Sequence, residues 1–253
     1  MEDLPRLLDA CVLTGWRAIG ITHPCKEAVV PLLDELDPAA EEMGAVNCVL
    51  VEPEGRLKGY NVDWFGADAA LEEGGIGVGD AECVAVIGTG GVARAVIYAL
   101  LNRGSRRLLL MDLVAEKAQA LAAEFSGPAE RRGAVLEVVG DAAAAIGEEG
   151  CGGVVNCTEV GMFGHDGVPF DPALLREGQW VMDCVYTPAE TQLVSACRAA
   201  GHQCITGDRM NILMWMTAFE LETGIDMDAL GIRNGEALME AQFNSLLQAA
   251  AKL

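Results

Sequence analysis

The chain has 253 residues, 51% of them hydrophobic and 22% charged. That is enough apolar material for a full core and enough length for two domains of ordinary size, and it excludes disorder for the bulk of the chain. A formal net charge of −21 repels nucleic-acid phosphates and anionic lipid heads, so any anion site has to be built locally.

Residues 1–75 mix helix-like and strand-like pieces. Leu4, Leu7, Leu8 and Cys11 lie at helical spacing, and Ala18–Thr22 is a short apolar run that stops at His23-Pro24. Pro31–Met43 reads as an interrupted helix. Ala45–Val51 and Gly59–Val62 read as strands, with a turn at Glu54-Gly55. The Gly-rich stretch Glu72–Asp80 reads as a linker. From 76 to 208 strands and helices alternate: Cys83–Ile87, Val92–Leu101, Arg107–Met111, Ala115–Phe125, Gly153–Cys157, Gln179–Cys184 and Gln203–Ile205. Ala142–Ala145 is compatible with helix. Such alternation predicts a parallel sheet covered on both faces. Residues 209–253 read as helical, over Asn211–Glu222 and Asn234–Lys252, and are expected to pack back onto the first segment and bracket a cleft. The fold class expected is α/β: a doubly wound parallel-sheet dinucleotide domain plus a smaller α/β substrate lobe.

The nine cysteines form no C-x-x-C pair, and Cys83, Cys157 and Cys184 lie inside apolar runs. They read as reduced, buried thiols of a cytoplasmic protein, with no metal site expected. The acidic, amphipathic start MEDLPRLLDA does not read as a signal peptide, and no apolar run reaches the about 18–20 residues of a membrane span. The expected partners are therefore a small-molecule substrate and no nucleic acid or membrane, in a monomer or homodimer.

Val84–Ala95, VAVIGTGGVARA, contains Gly88-x-Gly90-x-x-Ala93 with Gly91 as an extra glycine. It follows an apolar strand and opens a helix, the context a dinucleotide fingerprint requires. Gly88 permits the tight turn, Gly90 lets the backbone approach a pyrophosphate, and Ala93 allows close helix–strand packing. Backbone N–H groups at the helix start then hold the phosphates, and Thr89, Gly91 and Val92 belong to the same loop. At the end of the next strand stands Asp112, in LLLMDL. A carboxylate there accepts ribose hydroxyls and repels a 2′-phosphate, which favours NAD over NADP.

Further motifs stand in a fixed order. ITHPCK (Ile21–Lys26), GAVNCV (Gly44–Val49) and GYNVDWFG (Gly59–Gly66) precede the glycine loop. NCTEVGM (Asn156–Met162), MDCVYTPAET (Met182–Thr191) and GDRM (Gly207–Met210) follow it. The series resembles the shikimate and quinate dehydrogenases across nearly the whole chain. The resemblance implies an NAD(P)-dependent oxidoreductase of aromatic amino acid biosynthesis. It would pass hydride between the nicotinamide and a ring carbon bearing a hydroxyl, interconverting shikimate or quinate and the 3-dehydro ketone. It implies Lys26 as the catalytic acid/base with Asp63 as its partner. Thr22, Asn47, Asp63 and Tyr186 become substrate contacts, and Asn156, Thr158, Gly207 and Met210 cofactor contacts. The chemistry agrees: oxidising an alcohol needs a base for the hydroxyl proton, and a lysine oriented by a carboxylate can serve. His23 stays a supporting polar residue.

The sequence also departs from that family. The family's opening strand–helix unit, with a Ser-x-Ser motif for the substrate carboxylate, has no match before Ala18. Gly20 replaces an asparagine, Cys48 and Val62 replace threonines, and Met214 aligns with the usual glutamine. The expectation is a chain that binds NAD but turns over shikimate or quinate poorly unless a partner chain supplies the missing contacts. A non-catalytic NAD-binding relative, or a dehydrogenase of a related hydroxylated ring acid, is the alternative.

Overall fold

The computed structural model describes residues 2–22, 24–78 and 83–225. It opens with helix α1 (Leu4–Leu13), whose Leu4, Leu8 and Val12 fall on one face and pack into a small core with Ile21, Val29, Val46, Val49 and Leu57. Four short strands sit over that core: β1 (Ala18–Gly20), β2 (Glu35–Leu36), β3 (Cys48–Val51) and β4 (Leu57–Tyr60). Their order is β1-β3-β4-β2, antiparallel except for β2 against β4.

The interrupted helix expected over Pro31–Met43 is three elements instead. A 3-10 turn covers Val30–Leu32, β2 follows, and only Pro38–Met43 is α-helical (α2). Asp37 starts α2, its carboxylate accepting the N–H groups of Ala39 and Ala40 at 3.0 and 3.2 Å. The prolines at 31 and 38 punctuate the segment, because neither can continue a preceding helix. The strand expected at Gly59–Val62 runs over Leu57–Tyr60 instead, because Asn61 and Val62 turn into the next helix.

Helix α3 (Asp63–Glu73) joins the lobes. The chain then builds β5 (Cys83–Ile87), α4 (Gly91–Asn102), β6 (Arg107–Met111), α5 (Ala115–Glu124), α6 (Ser126–Arg131) and β7 (Val135–Val138). It continues with α7 (Ala142–Gly147), β8 (Cys151–Asn156), β9 (Trp180–Asp183), α8 (Gln192–Ala199), β10 (Cys204–Thr206) and α9 (Gly207–Thr223). The six strands form one parallel sheet in the order β10-β9-β8-β5-β6-β7. The chain winds outward from β5 through β6 and β7, then returns to β8 on the other side. That reversal is the switch point of a doubly wound sheet. Every residue of β5 is buried, and alternate residues divide between two cores. Val84 and Val86 face α4, whereas Cys83, Ala85 and Ile87 face α7 and α8. A strand covered on both faces reads as an unbroken apolar run for this reason.

Helix α3 is gripped from two sides, by α4 and by α9. Gly66 makes the second contact possible: a Cβ there would overlap the Met210 carbonyl and lie 2.9 Å from Met214 Cβ. Polar clamps add to the union of the lobes. Arg94 of α4 donates to the Met43 carbonyl at 3.0 Å, and Arg131 and Arg132 both pair with Glu42 of α2. The helix expected at Asn234–Lys252, the end of the Glu72–Asp80 linker and His23 lie outside the described residues.

The cysteines prove less scattered than their spacing. Cys83 faces Cys151 across β5 and β8, Cys157 neighbours Cys184 past the ends of β8 and β9, and Cys197 of α8 neighbours Cys204 of β10. All are free thiols, and burial pushes the Cys83 thiol up to about 12.

Candidate active site

Two groups of residues make up the candidate site, one from each lobe. The glycine loop leaves β5 through Gly88, whose φ of +88° belongs to the left-handed region that glycine adopts without strain. The Gly88 N–H donates to the Met111 carbonyl at 2.7 Å, and a Cβ at Gly88 would meet Thr158 Cγ2 at 2.6 Å. Beyond the adjoining backbone, no described atom lies within 4 Å of where a Cβ would stand at Gly90 or Gly91. Helix α4 then begins with no side chain capping its first N–H groups, and the fully buried Ala93 packs below. Open backbone at an uncapped helix start is a cradle for a phosphate.

Asp112 follows β6. Its Oδ2 accepts both the N–H of Thr89 at 2.9 Å and the Thr89 hydroxyl at 2.7 Å, and its Oδ1 accepts the Val114 N–H at 2.9 Å. Burial acts to raise this carboxyl, but the bonds from Val114 and Thr89 outweigh it and hold the group below the usual range. Cradle and acid together fit a dinucleotide with a free ribose diol.

In the substrate lobe, Lys26 Nζ lies 2.6 Å from Asp63 Oδ2, with the lysine side chain 21% and the aspartate 9% exposed. Asp63 is the first residue of α3, where the helix dipole favours an anion. Backbone bonds fix both partners. The Lys26 carbonyl accepts the Val46 N–H at 2.8 Å, and the Asp63 N–H donates to Asn61 Oδ1 at 3.1 Å. Asn47 is tied into the same turn: its Oδ1 accepts the Val62 N–H at 2.7 Å, and its Nδ2 reaches Met214 Sδ at 3.8 Å. The structure therefore brings Lys26, Asp63 and Asn47 together, with Met214 as an apolar wall.

Other expected site residues stand differently. Thr22 is exposed, at the rim of an apolar groove lined by Leu4, Leu8, Ile21 and Cys25. Tyr186 is 41% exposed beyond the end of β9. Asn156 and Thr158, read as cofactor contacts, spend their polar atoms inside the protein. Asn156 Oδ1 accepts the Thr158 N–H and hydroxyl at 2.9 and 2.7 Å, and its Nδ2 donates to Asp183 Oδ1 at 2.9 Å. Their side chains shape the wall beside Gly88. Met210 is buried, and Gly207 lies so close to the Cys184 carbonyl (2.6 Å from a would-be Cβ) that no side chain fits.

Residues 1–49 match the model of the shikimate dehydrogenase substrate binding domain. The chain is 40% identical over 234 residues to a quinate/shikimate dehydrogenase (NAD(+)) of Corynebacterium glutamicum strain R, covering 92% of this chain and 81% of the relative. The chain belongs to the shikimate/quinate dehydrogenase family. A shikimate dehydrogenase (NADP(+)) of Pseudarthrobacter chlorophenolicus is also 40% identical, over 92% of this chain and 78% of its own. The solved quinate dehydrogenase from Corynebacterium glutamicum in complex with NAD superposes with a TM-score of 0.82 at 40% identity, covering 96% of this chain and 83% of that one.

Within this family member, sequence reading passed over Asp183. It is fully buried and accepts hydrogen bonds from Asn156, Thr191 Oγ1 (2.6 Å) and the Val185 N–H (3.1 Å). Burial still pushes its carboxyl up. The motif MDCVYTPAET contained both Asp183 and Thr191, but nothing in their spacing told a buried anchor from a ligand contact.

Proposed function

We propose that this chain is an NAD-preferring dehydrogenase that interconverts shikimate or quinate and the corresponding 3-dehydro ketone. The observation that carries the reading is the Lys26–Asp63 pair at 2.6 Å, in a chain whose second lobe carries a glycine cradle beside Asp112. Gly88, Gly90 and Gly91 would hold NAD, which would supply the hydride acceptor for the alcohol carbon. The chain's own groups manage the proton. Lys26 Nζ takes it from the substrate hydroxyl as the C–O bond gains double-bond character, and returns it in the reverse direction. Asp63 holds the ammonium so formed and keeps it aimed at the same oxygen. Asn47 presents its amide to the substrate while Val62 fixes its carbonyl end. The substrate domain spans residues 1–75 and the dinucleotide domain residues 76–208, and α9 packs back against α3.

The intact Lys26–Asp63 pair favours an enzyme over a non-catalytic NAD-binding relative. Its free thiols suit a reducing, cytoplasmic setting, where it works as a monomer or homodimer. Among the described residues no helix is long and apolar enough to cross a membrane. The test is a turnover screen of shikimate and quinate with NAD and NADP, read as reduced-nicotinamide absorbance. Turnover with NAD above NADP supports the reading, and no turnover of either acid with either cofactor overturns it.

A further inference from the structure

The loop residue between Gly88 and Gly90 carries a side chain that the cofactor cradle does not require. Thr89 gives its hydroxyl to Asp112 Oδ2, the oxygen that already accepts the Thr89 N–H. Oδ1 accepts the Val114 N–H. A carboxylate oxygen offers about two acceptor directions, so Oδ2 is filled and Oδ1 keeps one. An aspartate at the end of a strand otherwise turns about two side-chain torsions, and such a group can swing aside when a like charge approaches. Here three donors at 2.7–2.9 Å remove that freedom.

Building on the proposed function, we propose that Thr89 is the positioning residue for cofactor selectivity: it pins the Asp112 carboxylate so that one Oδ1 lone pair meets a ribose hydroxyl and the charge cannot retreat from a 2′-phosphate. The selectivity then belongs to the Thr89–Asp112 pair rather than to the acid alone. The hydroxyl, not the methyl, is the working part, which separates this role from simple stapling of the loop to β6.

The full chain and its Thr89→Val and Thr89→Ser variants are titrated with NAD and with NADP by calorimetry, and their thermal midpoints are measured. Thr89→Val keeps the shape and the backbone N–H but loses the charge-assisted bond. It should lose about tenfold of the NAD-over-NADP preference, the scale of one such bond. Thr89→Ser restores the hydroxyl and should hold the wild-type ratio within about twofold. A merely structural role moves the melting temperature and leaves the ratio alone. A folded Thr89→Val with the wild-type ratio overturns the proposal, as does a serine variant that fails like the valine one. Should Thr89→Val not fold, Thr89→Ala carries the same comparison. A wild-type chain that bound neither dinucleotide would overturn the proposed function and this inference with it.

Discussion

Replacing Gly66 by alanine tests the joint between α3 and α9. The added methyl would lie 2.9 Å from Met214 Cβ and overlap the Met210 carbonyl. Carbon–carbon contacts settle at about 3.5–4.0 Å, so the shortfall is close to 1 Å. A backbone carbonyl cannot swing aside as a side chain can, so the helices must part. Overpacking of this kind costs about 1–3 kcal/mol. For a chain of this size that is a fall in melting temperature of roughly 2–12 °C. The second effect is on turnover. Asp63 opens α3, and Met214 of α9 touches Asn47. A displacement near 1 Å can cost about 100-fold in rate when it misplaces reacting groups. Gly66→Ala should therefore lose roughly 10- to 100-fold in kcat/KM for the acid, with a much smaller change in NAD affinity. The assays are a thermal melt, steady-state kinetics and an NAD titration. A variant with the wild-type melting temperature and kcat/KM would refute the reasoning.

Lys26→Ala should lower kcat by about 100- to 10,000-fold, the usual scale for an acid–base group, while an NAD titration stays close to wild type. Asp112→Ala should weaken NAD and relax the exclusion of NADP; a mutant with an unchanged ratio of the two dissociation constants would contradict the assigned role. Glu42 tests the clamp between the lobes. Its hydrogen bonds with Arg132 and then Arg131 hold the carboxyl below its ordinary value against the opposing effect of burial. The folded value lies below the unfolded one, so the clamp contributes fully above the ordinary glutamate value of about 4.3 and fades as pH falls through the folded value. Glu42→Gln should melt about 1–4 °C lower at pH 7, a gap that closes under acid; a gap independent of pH would count against the clamp.

The dinucleotide half was legible because its signals are local. An apolar run, a Gly-x-Gly turn and a helix occupy one short stretch, and burial of β5 on both faces leaves an unbroken run to read. Helix α3 was not read, because α4 and α9 cover it on two sides and its Gly66, Ala67 and Ala70 leave no single apolar stripe. Strand β7 was missed for the opposite reason: it is an edge strand, largely exposed, with no clean alternation. Lys26 and Asp63 came from motif order and not from any local pattern, since 37 positions separate them. The bond between Thr89 and Asp112 was invisible in the same way: each residue had a reading alone, but only the fold makes them a pair.

The rim of the parallel sheet has a thermodynamic consequence. Asn156, Thr158, Asp183 and Thr191 satisfy one another, and Thr158 rests against the turn at Gly88. These walls are held by bonds internal to the fold. The entropy of arranging that rim is therefore lost at folding and does not recur at each encounter, so dinucleotide association proceeds with a small conformational penalty, as rigid preorganised sites do.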